Sequence, residues 1–138
     1  MEKKDLANEH FKNGEYDQAV KLYSEILETD AENHAILSNR SAAYIKMEKY
    51  DLALEDAVRT TKLKPDWGKA WGRLGAALYG LEKMDESLVA YNKANTLEPS
   101  EIYTQMMDEI KDKLKNIKNK LISENLSETV GNPQMNNL

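Results

Sequence analysis

The sequence predicts an all-α protein of stacked helical hairpins, and three observations predict it: a 34-residue period, small residues recurring within it, and prolines closing it. Tyr16, Tyr50 and Met84 lie 34 residues apart, as do Ala19, Ala53 and Ser87, and Tyr23, Ala57 and Tyr91. Val20, Leu54 and Leu88 keep the same interval, and so do Ala31, Pro65 and Pro99. Within each period one helical pattern ends at Asn13-Gly14, Glu48-Lys49 or Glu82-Lys83, and a second runs to Asp30-Ala31, Lys64-Pro65 or Glu98-Pro99. Proline has no amide N–H and biases the residue before it away from helical geometry. Each period therefore reads as a helix, a tight turn and an antiparallel helix, in repeats spanning about 1–33, 34–67 and 68–101.

Ala19, Ala53 and Ser87 sit where the second helix must approach a neighbour closely, while Tyr and Leu at the other periodic positions fill the gaps between hairpins. After Pro99 the period stops, but Ile102, Met106, Ile110, Leu114, Ile117 and Leu121 continue at helical spacing. A stack of repeats leaves its last face apolar and wet, so residues 101–123 are expected to be a capping helix that buries this stripe. Residues 124–138 are rich in Asn, Ser and Glu, with a Gly and a Pro, and are expected to form a disordered tail or linker. The repeat domain is thus expected to span residues 1–123.

Composition excludes several functions. With 138 residues, the chain has room for one small unit but not for a scaffold plus a catalytic domain. It has no cysteine, which removes disulfides and thiolate metal sites. No apolar run is long enough for a membrane span, and no apolar segment follows the Met-Glu-Lys-Lys-Asp start as in a secretory signal, so a cytoplasmic location is expected. A net charge of −5 opposes nucleic acid as a partner, because phosphate binding draws on a basic surface. His10 and His34 fall on different repeats without metal-ligand spacing. Gly68, Gly72, Gly75 and Gly80 lie within and just before a helical pattern, where close packing explains them better than a nucleotide loop. No enzyme activity, metal or cofactor is expected.

Binding is what remains. Lys4 and Asn8 are four apart, as are Lys69 and Arg73, so each pair shares a helix face, and Asn39 lies 34 residues before Arg73. All five can therefore face one groove.

The period and its Tyr, Ala and Pro positions resemble the tetratricopeptide repeat family over residues 1 to about 99. Met84, Ala31 and Arg40 depart from the family pattern, Arg40 standing where leucine is usual. The resemblance implies a right-handed superhelix whose concave side is lined by the first helix of each hairpin. Lys4, Asn8, Asn39, Lys69 and Arg73 match the dicarboxylate clamp of its chaperone-binding members, which hold the C-terminal Glu-Glu-Val-Asp of heat-shock protein 70 and heat-shock protein 90. Ser38-Asn39-Arg40-Ser41-Ala42-Ala43-Tyr44 and Leu63-Lys64-Pro65-Asp66-Trp67-Gly68-Lys69 are similar to the N-terminal module of the Hsp-organising co-chaperones, with small glutamine-rich repeat co-chaperones next. Phe11, Ala42 and Lys46 lie one or two turns from clamp residues and are secondary contact candidates. The expected protein is a monomeric co-chaperone module without catalysis. The alternatives are a chaperone-targeting domain of a larger phosphatase or prolyl isomerase, and a generic adaptor that binds internal peptides.

Two further features have bland readings. Lys111, Lys113, Lys115, Lys118 and Lys120 could suit a membrane surface or nucleic acid, but Asp108, Glu109 and Asp112 interrupt them, and a solvated helix back accounts for them. Asn39-Arg40-Ser41 and Asn125-Leu126-Ser127 match the glycosylation pattern, which has no consequence without a signal peptide.

Overall fold

A computed structural model describes residues 1–130, and these form seven helices. They are α1 (Lys3–Lys12), α2 (Tyr16–Thr29), α3 (His34–Lys46), α4 (Tyr50–Leu63), α5 (Gly68–Gly80), α6 (Met84–Leu97) and α7 (Glu101–Val130). Consecutive helices pack on one another, and α5 also touches α3, so the hairpins α1–α2, α3–α4 and α5–α6 stack in chain order with α7 laid against α6.

The three tight turns share one geometry. Gly14, Glu48 and Glu82 occupy equivalent positions and all adopt positive φ, at 77°, 58° and 62°. In each turn two amides bond back into the preceding helix: Gly14 N to Phe11 O and Glu15 N to His10 O, then Glu48 N to Ile45 O and Lys49 N to Tyr44 O, then Glu82 N to Tyr79 O and Lys83 N to Leu78 O. This Schellman pattern satisfies carbonyls that a helix end would otherwise leave bare. Glycine enters the left-handed region freely, whereas Glu48 and Glu82 enter it at a cost of about 1 kcal/mol or more each.

Within each hairpin the two helices meet at small residues. Ser41 Oγ donates to Ala53 O at 2.9 Å, and Ser87 Oγ donates to Gly75 O at 2.7 Å. Positions 41 and 75 are equivalent, and so are 53 and 87, so the hydroxyl crosses from the first helix in one hairpin and from the second in the next. Ala7 and Ala19 hold the corresponding places in the first hairpin and are fully buried. The α5 glycines follow the same logic: a Cβ on Gly75 would lie 2.8 Å from the Tyr91 ring, and one on Gly72 would lie 2.8 Å from the ring of Tyr103.

Arg40, out of place against the repeat pattern, has a structural partner. Its Nε and Nη2 donate to the two Asp56 oxygens at 2.7 and 2.8 Å, and Nη1 donates to Ser24 Oγ at 3.1 Å. One side chain thereby joins α2, α3 and α4, and this fork onto Asp56 raises its pKa further above the usual guanidinium range.

The capping helix differs from expectation in two respects. It continues through residues 124–130, which had been assigned to a tail; residues 131–138 lie outside the described part. The six-residue stripe is also not buried as a unit. Ile110 is fully buried and Met106 and Leu114 are half-buried, but Ile102, Ile117 and Leu121 are 67%, 52% and 55% exposed. Steps of four residues advance roughly 40° beyond a full turn, so the run from Ile102 to Leu114 drifts about 120° around the helix. Tyr103, Met106, Met107 and Ile110 are the residues that keep to the packed face.

Ile110→Ala should therefore destabilise the domain by about 2–5 kcal/mol, while Leu121→Ala should cost less than about 0.5. Thermal or urea unfolding of both variants checks this, and equal losses would contradict the burial pattern. Glu48→Gly should raise stability, by up to about 1 kcal/mol, because it releases the left-handed strain at that turn. A lowered melting temperature would show that the Glu48 side chain supplies more than the strain removes.

Candidate functional site

The three first helices of the hairpins, joined by one residue of α2, enclose a pocket of about 240 Å³ lined by Asn8, Phe11, Lys12, Tyr23, Asn39, Ala42 and Arg73. Asn8, Phe11 and Lys12 project from α1, where spacings of three and four residues place them on one side. Asn39 and Ala42 do the same on α3.

Two amides are locked in orientation at the centre. Asn8 Oδ1 accepts a short hydrogen bond from the Tyr23 hydroxyl and a second, at 3.3 Å, from Asn39 Nδ2. With that oxygen saturated, Asn8 presents its Nδ2 as a donor and Asn39 presents its Oδ1 as an acceptor. One donor and one acceptor in fixed positions match the backbone of an extended peptide. Tyr23 is itself almost wholly buried, and burial raises its pKa despite the opposing effect of Arg73, so it remains a neutral donor.

Arg73 is the electrostatic centre of the pocket. Its Nε donates to the Ser38 carbonyl at 3.2 Å and to Ser38 Oγ at 3.3 Å, an anchor that leaves the outer nitrogens of the guanidinium available. Among the described residues no carboxylate forms an ion pair with it. Burial lowers its pKa below the usual guanidinium range, with the nearby Tyr103, Tyr91 and Tyr23 acting in the opposite sense. A half-buried cation without a counter-ion carries part of the desolvation cost uncompensated, and an entering anion offsets it. Tyr103 comes from α7 and fits because residue 72 is glycine, so the cap contributes to the surroundings of Arg73.

Of the residues singled out from the sequence, the structure brings Asn8, Asn39, Arg73, Phe11 and Ala42 to one pocket. Lys4, Lys69 and Lys46 are exposed and not among its lining. Lys4 and Lys69 stand one turn before Asn8 and Arg73, and Lys69 Nζ lies 5.9 Å from the Trp67 ring centre. Long ammonium side chains stay solvated until an anion draws them in. Lys12 and Tyr23 were missed. Lys12 was detectable, being four residues after Asn8 on the same face, whereas Tyr23 was read only as one of the periodic packing residues.

Stacked 34-residue hairpins, with amides and a guanidinium gathered on their first helices, define a helical repeat protein. The chain belongs to the tetratricopeptide repeat proteins and, over residues 6–137, matches the family described as ChAPs (Chs5p-Arf1p-binding proteins). It is 41% identical over 92 residues to the heat shock protein sti1 homolog of Schizosaccharomyces pombe, covering 67% of this chain and 16% of that protein. It is 40% identical over 99 residues to the Hsp70-Hsp90 organizing protein of Triticum aestivum, covering 72% of this chain and 17% of that one. The chain thus spans about a sixth of the length of these curated relatives. Among solved structures, it resembles the first repeat domain of Spaghetti (RPAP3) bound to the HSP90 peptide SRMEEVD, at 31% identity and a TM-score of 0.79, covering 82% of this chain and 90% of that one. It also resembles the second repeat domain of human RPAP3 in complex with the HSP70 peptide SGPTIEEVD, at 31% identity and a TM-score of 0.75, covering 79% and 92%.

Tyr23→Phe removes the bond that fixes the Asn8 amide, and it should cost about 1 kcal/mol of stability. In side-chain NMR spectra, the NH₂ signals of both Asn8 and Asn39 should shift, since the Tyr23 hydroxyl and the Asn39 amide donate to the same Asn8 oxygen. An unmoved Asn39 signal would contradict that coupling.

Proposed function

We propose that the chain is a co-chaperone module whose groove takes the acidic C-terminal Glu-Glu-Val-Asp tail of heat-shock protein 70 or heat-shock protein 90. The observation that carries this reading is Arg73, a half-buried guanidinium in an open pocket with no anionic partner among the described residues. A C-terminal aspartate offers two carboxylates a few bonds apart. One meets Arg73, with Lys69 closing from the preceding turn; Lys4 and Lys12 on α1 hold the other. The Asn8 donor and the Asn39 acceptor bind the terminal backbone, and Phe11 and Ala42 receive the apolar residue before it. The ligands in the solved relatives end in the same four residues, EEVD, and differ upstream, so preference between the two chaperones would arise beyond the clamp, on the side of Lys46.

The module binds and positions; it carries out no chemistry of its own. Since it matches only about a sixth of the length of its relatives, it would act by tethering a chaperone to whatever else such a protein carries. A cytosolic setting follows from that partner, and no helix among the described residues is long and apolar enough to cross a membrane.

A five-residue tail peptide should bind with a dissociation constant of order micromolar, about −8 kcal/mol, because ordering a flexible peptide offsets much of the contact energy. Arg73→Ala should cost about 2–4 kcal/mol of that affinity, while Lys115→Ala on α7 should change it less than about twofold. Amidating the peptide's C-terminus should abolish most binding. Calorimetric titration checks all three; if the amidated peptide binds as well as the free acid, the groove recognises internal segments and the chaperone-tail reading fails.

A further inference from the structure

The far half of α7 carries a second surface that the groove does not use. Ile110, Leu114, Ile117 and Leu121 are spaced four, three and four apart, which on a helix forms one straight seam. Its lower end is buried in the repeat stack at Ile110, and its upper end emerges into solvent, with Ile117 52% and Leu121 55% exposed. Where it emerges, Ile117, Asn116 and Lys113 of α7 face Glu82 and Met84 across a groove of about 450 Å³. The seam is thus a continuation of an internal packing surface that stops being covered partway along the helix.

The flanks of the seam point to what covers it. Lys113 and Lys120 lie along one side and Lys111 and Lys118 along the other, which are the positions that face a partner's flanks when two helices pair. Residues 111–121 hold five lysines against the single acid Asp112, in a chain whose net charge is −5. A second copy of α7 would set lysine against lysine in both the parallel and the antiparallel arrangement. A bilayer surface fits poorly as well. The apolar seam is narrow, and residues 111–127 contain no Phe, Trp or Tyr to enter an interface.

We propose that the projecting end of α7 docks an acidic amphipathic helix of a partner protein. Its apolar residues would pack on Leu114, Ile117 and Leu121 and enter the groove beside Met84, and its Glu or Asp flanks would pair with Lys111, Lys113, Lys118 and Lys120. The four lysines select the partner by charge, and the seam supplies the buried area. This inference stands apart from the peptide groove, since none of its residues lines that pocket.

The test uses the whole chain and a labelled synthetic peptide of about three heptads, with Leu at the seam positions, Glu at the flanks and an amidated C-terminus. A matched peptide carries Lys at the flanks. The expected result in fluorescence anisotropy is saturable binding of the Glu peptide and none of the Lys peptide. Affinity should fall about tenfold or more between 50 and 300 mM salt, and also in Leu121→Asp and in the Lys118→Glu, Lys120→Glu double variant. Both variants should keep the parental melting temperature, and excess SRMEEVD peptide should not displace the probe. Four results would overturn the proposal: no saturable binding, equal binding of both peptides, displacement by SRMEEVD, or Glu-peptide binding unchanged in Leu121→Asp. Sedimentation showing self-association that Leu121→Asp abolishes would assign the seam to a second copy. Uptake of the chain by phosphatidylserine vesicles without binding of the Glu peptide would assign it to lipid.

Discussion

Everything in this domain depends on how closely the two helices of a hairpin approach. At the crossing, Ser41 reaches the carbonyl of Ala53 and Ser87 reaches that of Gly75, each at a distance that requires the opposing residue to be small. Any larger side chain at 53 or 75 would push the helices apart, and the displacement would pass to every neighbour, because interiors packed at crystal density do not absorb it. The hydroxyl also satisfies itself on a carbonyl already engaged in its own helix, so a polar atom is buried without an orphan. With this spacing set, the first helices of successive hairpins come near enough for Asn8, Asn39 and Arg73 to meet in one pocket.

That pocket trades stability for readiness. An apolar residue in place of Arg73 would pack without a desolvation penalty, and the guanidinium's hydrogen bonds within the fold are those of its Nε to Ser38. Those bonds hold it there, beside Tyr23, Tyr91 and Tyr103. The contrast with Arg40 is instructive: the same side chain, one hairpin earlier, is held by both oxygens of Asp56 and acts as a structural rivet. One arginine has its carboxylate within the chain, and the other has none among the described residues.

Much of this was legible in the sequence, and what was not has physical causes. The 34-residue interval, Pro65 and Pro99 give the hairpins directly, since proline ends helices by geometry. Asn8, Asn39 and Arg73 could be placed on one surface because repeat offset and helical spacing both act on them. Tyr23 was hidden because a ring that packs and a hydroxyl that orients an amide occupy the same periodic position. The stripe on α7 was overread at Ile102, because repeated steps of four leave the packed face. The end of α7 was underread: polar composition suggested a tail, but from Glu124 to Val130 there is neither glycine nor proline, and a formed helix extends at little cost per residue.

The positions of the groove residues along the chain also set an order in time. Asn8 and Asn39 are in place once the first two hairpins have folded, Arg73 arrives only with α5, and Tyr103, which helps enclose it, arrives later still with α7. A chain emerging from the ribosome folds from its N-terminus, so its first two hairpins can stack while the anion-binding centre does not yet exist. The pocket is therefore completed only as the second half of the domain is made. A nascent or prematurely ended chain would possess the first two hairpins and the amides of the pocket yet lack its guanidinium.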